Sequence, residues 1–257
     1  MNASSAMLAL KLVLVPGFLL LVTLAARRWG PSFGGWLAGL PVVTGPILGF
    51  IAIEQGGPFA ARAATASLSA VLSTVAVCVA YAHVARVVRW PLALTATFAT
   101  WALFAWLLSI APESLALSAA LAALSLLGGP RLFPPRATGG SVLPGARGEL
   151  ALRMLAGAVL TLVVTQAAAS AGPRWSGLLA VFPIMSVVLA GFSHHAQGAG
   201  YAATLLRGLT EGLWSFAVFC LVAALMLPRL DAAIALAAAV SAALATQAAT
   251  LRRRPRS

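Results

Sequence analysis

Two prolines sit inside apolar runs long enough to cross a membrane. Pro41 lies in LAGLPVVTGPILGF (37–50) and Pro183 in LLAVFPIMSVVLAGF (178–192). A proline within a helix removes one backbone donor and clashes with the carbonyl four residues back. Lipid offers that carbonyl no partner, so it must face protein or a water-filled cavity. Thr44 and Ser186 add a hydroxyl one turn later in each run, and Pro46 interrupts the first run a second time. Interrupted helices at matching places in two halves of a chain point to a binding site at the bilayer midplane. The other reading of the same residues is a pair of packing kinks whose carbonyls are met by neighbouring helices.

Charge inside apolar runs is the second pointer. Glu211 is the one acid expected within a span, and Arg207 lies four residues earlier on the same helical face. A buried charge at bilayer depth is a functional candidate by default; an interfacial pair with Arg207 snorkelling outward is the alternative. The candidate pathway residues are therefore Pro41, Thr44, Pro46, Pro183, Ser186, Arg207 and Glu211. His194 and His195, with Gln197, read as a polar span end, because adjacent histidines point apart on a helix and no third strong ligand is near. No metal is expected. Cys78 and Cys220 lie in apolar runs and read as small packing residues. Glu54 and Gln55 end a run, while Glu113, Glu149 and Asp231 open runs, where a carboxylate suits a helix N-terminus. Gly35xxxGly39, Gly45xxxGly49 and Gly208xxxGly212 predict close helix approach. No phosphate-binding loop, dinucleotide fingerprint, zinc-protease motif or nucleophile elbow occurs. The expectation is a protein that is not an enzyme and carries no cofactor.

The elements that must hold these residues follow from composition. Of 257 residues, 61% are hydrophobic and 9% charged, with a mean hydropathy of +0.98. A soluble domain carries about 25% charged residues, so the bilayer is the main solvent. Nine apolar runs are expected to span it as helices: 6–26, 36–53, 61–83, 91–109, 112–128, 149–169, 177–194, 202–227 and 231–250. Trp29, Trp36, Trp90 and Trp175 fall at span ends, and Pro31, Pro58, Pro91 and Pro112 punctuate the gaps. Segment 129–148, rich in proline and glycine, reads as a loop. The first run reads as a span, not a cleaved leader, because Arg27-Arg28 follows it directly. With the N-terminus outside, thirteen arginines fall on the cytoplasmic side and four basic residues (Lys11, Arg62, Arg174, Arg229) on the other. The positive-inside rule therefore selects N-out, C-in. The formal net charge of +12 is accounted for by these short basic gaps, and nucleic acid is excluded as a partner.

Shifted by 142 residues, the chain matches itself: 30–78 overlies 172–220 with fourteen identities in forty-nine, including Pro41/Pro183, Gly49/Gly191, Gln55/Gln197, Gly56/Gly198 and Cys78/Cys220. The shift carries each of the first four spans onto one five spans later. An odd displacement makes each copy cross the membrane in the opposite sense. The expected plan is a first four-helix repeat over 1–110, a linker helix over 111–128, a cytoplasmic loop over 129–148, and an inverted second repeat with a basic tail over 149–257. This is the plan of many secondary transporters.

Each half also resembles the GlpM-type small membrane proteins of bacteria. The resemblance is carried by Gly177-Leu178 with Phe182-Pro183, by Ala38-Gly39-Leu40-Pro41, and by the stretch Leu206–Ser215 with Trp214-Ser215. It implies a multi-pass inner-membrane protein linked to efficient alginate production, and it implies no catalytic residue. Two functions are therefore expected: a transporter or channel for a small solute or ion between two inverted repeats, or an accessory protein supporting an envelope or polysaccharide export complex. The expected partners are the lipid bilayer, a solute, and either a second copy or a membrane complex.

Overall fold

The computed structural model describes residues 3–135, 148–170 and 182–252. Ten α-helices occur among them: α1 (Ala3–Trp29), α2 (Pro31–Ala38), α3 (Thr44–Gln55), α4 (Gly57–Val84), α5 (Trp90–Ile110), α6 (Leu115–Leu132), α7 (Glu149–Ser170), α8 (Ile184–Gln197), α9 (Ala199–Met226) and α10 (Ala232–Arg252). Among the described residues the regular structure is all helical, and seven helices are long and apolar enough to cross a membrane: α1, α4, α5, α6, α7, α9 and α10.

The single helix expected over 36–53 is instead two short ones. α2 stops at Ala38, residues 39–43 are turn, and α3 starts at Thr44. Proline explains the break. Pro41 has no N–H to continue α2, and its ring crowds the preceding turn. The last turn of α2 tightens instead, with Gly39 N donating to Trp36 O at 3.3 Å and Leu40 N to Leu37 O at 3.1 Å. Of the span expected over 177–194, residues 177–181 lie outside the described residues; α8 begins directly after Pro183. The expected loop starts later than 129, because α6 continues through Pro130 to Leu132. Ser114, not Pro112, sets its start, accepting from Leu117 N at 3.4 Å.

Several helix bounds recur at the 142-residue shift. α4 and α9 are both 28 residues long and start at the corresponding positions Gly57 and Ala199. α5 and α10 are both 21 residues long and start at the corresponding positions Trp90 and Ala232. The turns before α4 and α9 share one unusual backbone conformation, with φ/ψ of 83°/162° at Gly56 and 88°/170° at Gly198. That region is closed to residues with a Cβ, so glycine is required at both.

α4 and α9 run antiparallel at the centre. Gly57, at the start of α4, packs on the Leu227 backbone just past the end of α9. At the other end, Arg86, just past α4, shares a small cavity with Ala199 and Gly200 at the start of α9. α1 and α7 are antiparallel too: Arg27 at the end of α1 pairs with Glu149 at the start of α7, while Val15 packs near Gly157 further along. One pair of contacts is reciprocal. A Cβ added at Gly49 would lie 3.3 Å from Leu236 Cδ1, and one at Gly191 would lie 3.3 Å from Leu94 Cδ1. Gly49/Gly191 and Leu94/Leu236 are each related by the same shift, so residue i of one half meets residue j of the other in both directions.

Two of the glycine motifs meet each other. α2 lies along α9 with Gly35 against the Leu205 carbonyl, Gly39 on Gly212, Gly208 on the Ser32 carbonyl and Gly212 on the Trp36 carbonyl. The backbones touch, which only glycine on both sides allows. Gly212→Ala is expected to destabilise the protein by at least about 1–3 kcal/mol, read as a lowered unfolding midpoint in detergent. Gly17→Ala, where an added Cβ has no heavy atom within 4 Å, is expected to leave the midpoint unchanged. Equal midpoints for the two variants would refute the close α2–α9 contact.

Candidate functional site

The broken segment and α8 border one cavity of about 300 Å³. Its walls come from α1, the 39–43 turn and the start of α3, α4, α7, residues 182–186, and α9. The lining recurs in shift-related pairs: Leu40 with Phe182, Val43 with Met185, Thr44 with Ser186, Ser67 with Leu209, Val71 with Leu213, and Thr74 with Phe216. The cavity therefore sits where the two halves face one another.

Each side of the cavity is fixed by identifiable bonds. On the α2 side, Gln247 of α10, 4% exposed, donates from Nε2 to Trp36 O at 2.9 Å. Trp36 Nε1 in turn donates to Thr250 Oγ1 at 3.0 Å. Trp36 O, in the last turn of α2, thus accepts from a buried side-chain amide as well as from Gly39 N, which keeps this end of the helix paired where water is scarce. Beyond the break, Gly45 N donates to Pro41 O at 2.8 Å, restarting the chain as α3. On the α8 side, Pro183 caps the helix with φ/ψ of −81°/64°, and Val187 N donates to its carbonyl at 3.1 Å. The Phe182 ring is held by Trp101 at 4.9 Å and Phe98 at 5.7 Å between centroids. Cys78 Sγ lies 3.9 Å from Ser186 Oγ. Tyr81 Oη lies 3.3 Å from Ala190 O and 3.0 Å from His194 Nδ1, tying α8 to α4.

Of the residues singled out from sequence, Thr44, Pro183 and Ser186 line this cavity. Pro41 is in the turn at its edge, between the lining residues Leu40 and Val43. Pro46 is exposed on α3. Arg207 is elsewhere: its guanidinium donates to Phe133 O at 3.3 Å and Pro134 O at 3.1 Å, and lies over the Phe133 ring. It borders a separate cavity of about 110 Å³ with Arg86. Glu211 is half-buried on α9 and is not among the residues lining the larger cavity. His195 packs edge-on against Trp90 at 5.7 Å. No cluster of three or more His, Cys, Asp or Glu able to hold a metal occurs among the described residues.

Sequence reasoning missed three features of the site. Lys11, the chain's single lysine, lines the cavity together with Thr165. Gln247 closes the α2 break. Glu149, read as a favourable helix start, is the hub of an ion-pair network, with Arg153 at 2.7 Å and Arg27 at 3.1 Å. Arg153 is 4% exposed and also donates to Thr23 Oγ1 at 3.0 Å. Family models, curated proteins and solved structures yield no match to this chain.

The cavity's polar wall predicts water access. In a background without Cys78 and Cys220, Thr44→Cys and Thr165→Cys are expected to react with a water-soluble thiol reagent. Ser73→Cys, fully buried between helices, is expected to stay unlabelled in the folded protein. Labelling of Ser73→Cys at the same rate, or no labelling at Thr44 and Thr165, would show that the cavity is closed to water.

Proposed function

We propose that this chain is a multi-pass carrier of a small solute, built from two inverted four-helix repeats that share one central pathway. In this reading the chain crosses a bacterial inner membrane nine times, with its N-terminus outside and C-terminus inside. The segment at 36–53 is a broken crossing, and α8, which starts directly after Pro183, belongs to its counterpart. The observation that carries the reading is the cavity whose walls include six shift-related pairs of residues from the two halves. A site on such an axis is reached from either face by the same small motion of one half against the other, which is how inverted-repeat carriers alternate access. Antiparallel α4/α9 and α1/α7 support the inversion.

The same reading gives the Glu149 network a role. Arg27, Glu149, Arg153 and Thr23 join α1 to α7 at one end of their crossing. Lys11 and Thr165 lie toward the other end of the same two helices. The network is then the closed inner gate, and the cavity opens outward. Buried charges of this kind lose several kcal/mol when one partner is removed.

The test is uptake into proteoliposomes across a panel of small anions, cations and neutral metabolites. Saturable uptake of at least one solute is expected, and Glu149→Gln is expected to raise its passive leak several-fold. No uptake of any solute, with a stoichiometric membrane partner retained on purification, would refute the carrier and favour the accessory role.

A further inference from the structure

The two antiparallel helices α1 and α7 carry the same two polar positions twice. Under the 142-residue shift Lys11 corresponds to Arg153, and Thr23 corresponds to Thr165. α1 and α7 cross with Val15 near Gly157, themselves a shift-related pair, so the two arrangements sit on opposite sides of the crossing. At one side the cation is complete: Arg153 donates to Thr23 Oγ1 at 3.0 Å and to Glu149 Oε1 at 2.7 Å, the acid coming from four residues earlier on the same helix. At the other side the residue four before Lys11 is Met7, and the carboxylate is missing from the set.

What stands there instead is the cavity. Lys11, Thr165 and Thr44 all line it, and none of the three has a hydrogen-bond or ion-pair partner among the described residues. Those residues include all five acids of the chain, and no acid lines the cavity. A lysine held at this depth without a counter-charge is costly, and an ammonium and a hydroxyl lining one cavity are the donor set that a carboxylate accepts from. Ser67, Thr74, Thr161 and Ser186 add further hydroxyls, and the rest of the described lining is apolar, with Phe18, Leu40 and Phe216 among its residues. Its volume is at the small end of ligand pockets. The filled copy of the site, cation with hydroxyl and carboxylate, is thus built into the molecule at the opposite end.

We propose that Lys11 and Thr165 bind the carboxylate of a small monocarboxylate with a short apolar tail, which takes the place that Glu149 holds beside Arg153. This rests on the carrier reading above for its role as cargo; the binding itself does not.

The experiment is equilibrium binding of radiolabelled butyrate to the full-length chain in mild detergent, with butyramide and chloride as competitors. Saturable binding is expected, displaced by unlabelled butyrate but by neither competitor. Lys11→Gln is expected to weaken it by about tenfold or more, the loss that follows from removing a charged donor. Lys11→Arg retains binding. Met7→Glu, which supplies an internal carboxylate four residues before Lys11, abolishes it while leaving the unfolding midpoint at or above that of the parent. Arg62→Gln, on the exposed start of α4, changes nothing. Equal affinity in the parent and Lys11→Gln, or displacement by butyramide or chloride as effective as by butyrate, would overturn the proposal. Uptake of neutral solutes with no butyrate binding would sink the carboxylate site and leave the carrier standing. Lys11-dependent binding with no uptake of any solute would do the reverse.

Discussion

Hydrocarbon cannot hydrogen-bond, and this constraint organises the molecule. A crossing helix interrupted by proline exposes backbone carbonyls that lipid would leave unpaired. At the break over 39–43, the last carbonyls of α2 accept from Gly39 N and Leu40 N, Gln247 reaches Trp36 O from another helix, and glycine contacts press α2 directly onto α9. The turn is then walled by protein on one side and by a cavity on the other. The same requirement acts at Pro183, where α8 starts beside the cavity and is held by Phe182, Ser186 and Tyr81. The break at 39–43 and the start of α8 at Pro183 both border the cavity.

The two halves agree in backbone and differ in chemistry. Helix bounds, the Gly56 and Gly198 turns and the buried Cys78 and Cys220 repeat. Polar groups do not: Ser67 and Thr74 face Leu209 and Phe216 across the cavity, and Tyr81 and His194, which bond to each other, both have alanine as counterparts. Ion pairing follows this division. Glu149 has a methionine counterpart, so one end of the α1–α7 crossing carries an ion-pair network and the other, with Lys11, lines the cavity.

Apolar run length made the seven long helices legible, because the length of an apolar stretch is a local property of the chain. The glycine motifs were readable as close-contact surfaces, but nothing local says that Gly35xxxGly39 meets Gly208xxxGly212. Pro41 and Gly39 signalled an interruption, yet an apolar run cannot distinguish a kinked helix from two short ones. That depends on whether another element satisfies the freed carbonyls, and Gln247 lies more than two hundred residues away. Lys11 was visible only as one charge in an orientation count; its place in the cavity follows from α7. Arg207 and Glu211 drew attention because charge in a span is rare, but Arg207 is directed at the end of α6 by the Phe133 and Pro134 carbonyls.

The central claim is that the two halves are inverted in the membrane. Single cysteines at Glu54 and His195, beside the equivalent turns at Gly56 and Gly198, measure it directly in intact and opened cells with an impermeant maleimide. The account predicts that one site is labelled only from outside and the other only from within. Labelling of both from the same face would contradict it.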